Sequence, residues 1–172
     1  MEHKLSDQEK AWLESLKSED RQRIYTALND MREAGSVNLL PVVFDVYQAF
    51  PDEELREKIV MFLRDLKDKR VPEVFMRELK SRRWESGLPM MLSTCWQSAL
   101  DFSPYLEDFL PYADADDLSV QMEALTNIEE YFYNKNADGQ AKVRNQLKSM
   151  AIGANGPKRD LLMSYLQGMK EV

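Results

Sequence analysis

The sequence predicts an all-α protein, an α-solenoid of about five antiparallel helix pairs, and three observations predict it. Pro41, Pro72 and Pro104 are spaced by 31 and then 32 residues. Each stands near the start of an apolar run of helical period, and a second such run comes after a short polar break, the pattern of stacked helix pairs that bury a shared core. The chain has only six glycines in 172 residues, against many Leu, Glu, Lys, Arg, Met and Ala, and no β-branched alternation of the kind a strand needs.

At the amino terminus, Ser6 and Glu9 form a Ser-x-x-Glu capping box for a short first helix carrying Trp12, Leu13 and Leu16. A second helix is predicted from about Ser18, with Ile24, Leu28 and Met31 at helical spacing and Gly35 as its stop. An apolar helix over 38–50 carries Pro41 in its first turn, where a missing N–H costs little, and Pro51 ends it. Asp52 then caps an amphipathic helix with Leu55, Ile59, Phe62, Leu63 and Leu66 on one face.

The next pair begins at Pro72, turns around Glu85, Ser86 and Gly87, and continues with Leu88, Met91, Leu92, Cys95, Ala99 and Leu100. Ser103 and Pro104 are expected to open a third pair as N-cap and first helical residue. Its second helix starts from Asp117 and carries Leu118, Met122, Leu125, Ile128 and Phe132. That stripe leaves Gln121, Asn127 and Glu130 outward. In the last pair, Asp138 is expected to cap one helix with Val143, Leu147 and Met150, and Gly156–Pro157 to open another with Leu161, Leu162, Tyr165 and Met169. The whole is expected to form a single helical-repeat domain over 1–172.

Residues 38–66 resemble a HEAT-type repeat: a proline in the first helix (Pro41), an aspartate in the turn (Asp52) and an arginine one turn into the second helix (Arg56). The third pair matches with Pro104 and Asp117, and has Gln121 where the arginine would fall. The second keeps Pro72 and lacks the Asp–Arg pair. The resemblance covers residues 20–133. It implies a right-handed stack whose second helices line an inner face, and on that face Glu57, Arg64, Gln97, Asn127 and Tyr131 are the residues expected to meet a partner. Tyrosine and tryptophan exposed there, among Trp84, Trp96, Tyr131 and Tyr133, would act as anchors.

Charge is distributed in blocks. Residues 1–63 have a net charge of −5 and residues 64–83 of +4, residues 84–134 carry ten acids and no lysine or arginine, and residues 135–172 return to +4. In a linear stack a sequence block becomes a zone of surface, so the middle zone is expected to favour a basic protein partner and to repel nucleic acid. The basic stretch includes Arg64, Lys67, Lys69, Arg70, Arg77, Lys80, Arg82 and Arg83.

Catalytic chemistry finds few candidates. Cys95, the sole cysteine, lies on an apolar face with no nearby cation to lower its pKa, and it reads as core. His3 is the sole histidine, so Cys–His and Ser–His–Asp mechanisms lack a base and Cys/His zinc sites lack ligands. Asn134-x-Asn136-x-Asp138-Gly139 opens like a calcium loop, but its twelfth position is Asn145 in place of a bidentate glutamate. Asp114, Asp116 and Asp117 suit a turn and an N-cap, and Gly153–Arg159 lacks the spacing of a phosphate loop.

No cofactor is expected. No apolar run reaches the roughly 20 residues of a membrane span, and with one cysteine and no signal-peptide pattern a cytoplasmic protein is expected. The expected function is that of a non-catalytic protein-interaction module or scaffold with an acidic surface, one form of which is an inhibitor masking a basic effector. The competing class is a HEAT-like nucleic-acid-processing enzyme of the alkylated-base glycosylase type, which needs a basic concave groove that the acidic middle block does not supply. A third reading is a repeat protein that binds itself, on which the sequence is silent.

Overall fold

The computed structural model describes residues 4–34, 37–81 and 83–169. Gly35, His3 and Arg82, to which the sequence assigns a helix stop, a chain end and part of a basic stretch, lie outside the described residues. Among those described there are ten α-helices and no strand. The chain forms two compact units, Met1–Leu100 and Asp101–Val172.

The first unit holds α1 (Asp7–Leu16), α2 (Arg21–Ala34), α3 (Leu40–Ala49), α4 (Glu53–Arg64), α5 (Val71–Lys80) and α6 (Leu88–Gln97). Helix starts obey the local chemistry. The Ser6–Glu9 capping box forms in both directions, with Glu9 N–H donating to Ser6 Oγ at 3.2 Å and Ser6 N–H to Glu9 Oε2 at 2.8 Å. Asp52 accepts from Leu55 N–H at 2.8 Å, and Pro41, Pro72 and Pro89 each sit in a first turn. The helix predicted from Ser18 begins at Arg21 instead. Asp20 supplies its first acceptor, taking Gln22 N–H at 2.8 Å.

Odd helices pack on odd and even on even: α1 on α3 and α3 on α5, α2 on α4 and α4 on α6. Each odd helix also touches the even helix next in sequence, so the unit is two-layered. Between the layers lie Leu55, Ile59, Phe62 and Leu63 of α4, all buried, with Phe44 set edge-on to Phe75 at 5.0 Å and to Trp84 at 5.7 Å. Full burial of such a side chain contributes about 1.5–3 kcal/mol, so this face holds α4 in place. Ion pairs tie α2 to the two ends of α4, Arg21 with Asp52 and Arg32 with Asp65. Helix α6 ends at Gln97 because Ser98 turns extended. Ala99 and Leu100, expected within the helix, lie beyond it, and Ala99 is exposed.

The second unit holds a 3₁₀ segment (Ser103–Phe109), α7 (Leu110–Ala113), α8 (Leu118–Phe132), α9 (Ala137–Gly153) and α10 (Gly156–Gly168). Here two expectations change. Ser103 caps nothing: Asp101 accepts the Ser103 N–H at 2.8 Å, and the chain continues as a 3₁₀ run and a single α-turn in place of a regular helix. The cause is Pro111, which has no N–H to donate and whose ring excludes the carbonyl four residues back. The Leu110 N–H accordingly bonds to the nearer Glu107 carbonyl. In α9 the cap is Asn136, whose Oδ1 accepts from Gly139 N–H at 2.9 Å, and Asp138 sits in the first turn. Helix α10 does open at Gly156, whose φ of 57° lies where a side chain is strained. α8 packs against the 3₁₀ segment, α7 and α10, while α9 packs on α10 and α7.

Candidate functional site

Helix α8 is held from three sides, so its buried arc is wide: Val120, Gln121, Ala124, Leu125, Asn127, Ile128, Tyr131 and Phe132. Leu125, Ile128 and Phe132 of the predicted stripe are buried as expected, but the helix is rotated so that Gln121 and Asn127 turn inward and Leu118 and Met122 outward. Gln121 is fully buried, and its Nε2 donates to two carbonyls, that of Ala113 at 3.2 Å, at the C-terminal end of α7, and that of Lys158 at 3.1 Å, in the first turn of α10. Asn127 is equally buried and donates to the Glu123 carbonyl at 2.8 Å. Tyr131 is buried as well. Asn127 and Tyr131 therefore contribute to the core of the second unit, and neither presents a side chain to solvent.

Two residues assigned to the core, Leu118 and Met122, lie on the outward face of α8, and Glu130, expected outward, is exposed. Leu118 and Met122 are each 46% exposed and stand one turn apart, and Tyr133 beyond the helix end is 51% exposed. Of the other aromatic anchors considered, Trp84 is buried and Trp96 half-buried. On α8 itself Glu129 and Glu130 are exposed and form no ion pair among the described residues. Leu118 and Met122 lie in the first turns of α8, and Glu129 and Glu130 lie near its end. The sequence signal of the exposed apolar pair is the Leu118–Met122 spacing of four, which periodicity alone assigns to the interior.

The acidic block of residues 84–134 does not stand alone. Glu107 pairs with Lys142 at 2.6 Å, and that hydrogen bond holds its carboxyl below the ordinary carboxylate range. Lys158 reaches Asp114 at 3.0 Å and Asp116 at 3.3 Å, and its pKa is raised chiefly by the hydrogen bond to Asp114. The basic C-terminal block thus folds back onto the acidic one. Asp101, Asp117, Glu129 and Glu130 are left without a cation among the described residues. The basic stretch is partly matched in the same way: Arg70 pairs with Asp68, Arg77 with Glu78, and Arg83 with Asp45.

In the first unit the predicted partner residues fall along the even layer. Glu57 is exposed, Arg64 and Gln97 are half-buried. Glu57 and Arg64 line one groove of about 490 Å³ along α4, with Tyr47, Val60 and Met61 as its apolar wall. Gln97, at the end of α6, does not reach it. Arg56 is committed within its own pair, donating Nε to the Tyr47 carbonyl at 3.1 Å with its guanidinium over the Tyr47 ring. Arg64 Nε, by contrast, is buried without a hydrogen-bond partner among the described residues.

Cys95 is buried, and desolvation pushes its thiol far above the ordinary range. Among the described residues no three His, Cys, Asp or Glu side chains are grouped to hold a metal ion, and no helix is long and apolar enough to cross a membrane. A comparison with protein-family models gives no match to this chain, and a search of curated proteins finds no relative.

Proposed function

We propose that this protein is a non-catalytic interaction module that presents an acidic, apolar-studded surface to a basic protein partner, with inhibition of a basic effector as one form of that role. The observation that carries the reading is the outward face of α8, where Leu118, Met122 and Tyr133 stand exposed, as do Glu129 and Glu130. Apolar side chains of this size supply the desolvated anchors, and the carboxylates, which form no ion pair among the described residues, supply steering and register. The two-layered packing of α1–α6 supports the HEAT-like repeat architecture, as do Pro41 in a first turn and Asp52 as a cap.

The test is capture by the full chain from native cell extract at low and high salt, beside a Glu129→Lys/Glu130→Lys variant. The expected result is a basic protein retained by the unmodified chain, released by salt and lost from the variant. Retention of nucleic acid, or retention that neither salt nor the variant alters, overturns the reading.

A further inference from the structure

A different face, α4 in the first unit, carries a charge pattern that complements its own reverse. Glu57, Val60, Met61 and Arg64 form one outward stripe at helical spacing, acid at one end, apolar in the middle and base at the other. Val60 and Arg64 are half-buried, while Met61 is 54% exposed and supplies most of the stripe's accessible apolar surface. Neither Glu57 nor Arg64 has a carboxylate or cation partner among the described residues, and the Arg64 Nε is buried without an acceptor. Glu57 and Arg64 are thus charges on one helix face that no described residue of the unit pairs with an opposite charge, and charges from outside the unit can meet them there.

We propose that the occupant of this groove is α4 of a second copy of this chain, docked antiparallel about a two-fold axis that passes between Val60 and Met61. Residues 57 and 64 lie equally far on either side of that point, about 5 Å along the helix at 1.5 Å per residue. The two-fold therefore sets Glu57 of one copy against Arg64 of the other, twice, and packs Val60 and Met61 against their counterparts. An isologous interface needs this self-complementarity, and closed two-fold dimers are the commonest symmetric assembly. A parallel arrangement would oppose acid to acid and base to base. A contact centred on one twelve-residue helix is small, so the dimer is weak and its formation concentration-dependent.

The test is sedimentation equilibrium of the full chain from about 5 µM to about 500 µM, a range that brackets weak dimerisation. The expected mass rises from 20.1 kDa towards twice that value. Glu57→Arg and Arg64→Glu each create two like-charge pairs and are expected to weaken the dimer at least about tenfold. Glu57→Arg/Arg64→Glu together exchange the charges across the axis and are expected to restore affinity to within about threefold, with circular dichroism confirming that all variants fold. A single monomeric species throughout the range overturns the proposal. So does a dimer that the single reversals leave unchanged, or one that the double exchange fails to restore.

Discussion

Lys158 Nζ lies 3.0 Å from an Asp114 carboxylate oxygen and 3.3 Å from one of Asp116, across more than forty residues of chain. The lysine side chain is only 22% exposed, and its own carbonyl accepts from Gln121. One residue at the start of α10 thus pairs with two carboxylates of the acidic turn before α8 and also accepts from the buried amide of that helix. Lys158→Met keeps the methylene packing and removes the charge, and it is expected to cost about 1 kcal/mol at low salt, between the values for exposed pairs and for charged hydrogen bonds. Urea unfolding at two ionic strengths checks this. The loss should shrink in high salt, and equal stability of the two proteins at low salt would refute the role.

Gln121 makes a sharper case because it is wholly buried and serves two backbones. Gln121→Ala takes a side-chain donor from the Ala113 and Lys158 carbonyls and opens a cavity, at an expected cost of about 2–4 kcal/mol. Gln121→Glu keeps the volume but sets a carboxylate against two carbonyl oxygens, and it should be no better tolerated. Thermal unfolding monitored by circular dichroism distinguishes this from the outward, solvated glutamine that periodicity predicts, whose replacement would move stability by less than about 0.5 kcal/mol.

The start of α9 separates two capping assignments. Asn136→Ala removes the acceptor of the Gly139 N–H and is expected to cost about 1 kcal/mol. Asp138→Ala removes only a first-turn charge and should cost at most about 0.5 kcal/mol. Matched denaturant curves decide it, and the reverse ranking would restore Asp138 as the cap.

Cys95 is predicted to be inert while the protein is folded, because burial disfavours the thiolate on which attack depends. An aromatic disulfide reagent should release no chromophore in buffer at pH 8 and one equivalent per chain in urea. Rapid reaction in buffer would place the thiol at the surface.

The elements most legible in the sequence are those whose cause is local. The Ser6–Glu9 box, the Asp52 and Asp117 caps and the first-turn Pro41 and Pro72 all appear where predicted, since an N-terminal amide is satisfied by a side chain two or three residues away. Helix α4 is legible for a related reason: Leu55, Ile59, Phe62 and Leu63 mark one apolar side, and most of the remaining positions are charged, so its period has a single solution. Helix α8 has no such single solution. Apolar residues occupy much of its circumference, and Leu125 and Ile128 can share a stripe either with Leu118 and Met122 or with Val120 and Ala124, the pair the structure buries.

By itself, then, the sequence determined the helical class, most helix starts and the buried face of α4, because capping and period act within a few residues. The tertiary structure alone decided the rotation of α8, the burial of Gln121, Asn127 and Tyr131, and the pairing of Lys142 and Lys158 with distant acids. Those outcomes depend on which backbone carbonyls and carboxylates of other helices come within about 3 Å, a distance that folding sets and no local pattern encodes.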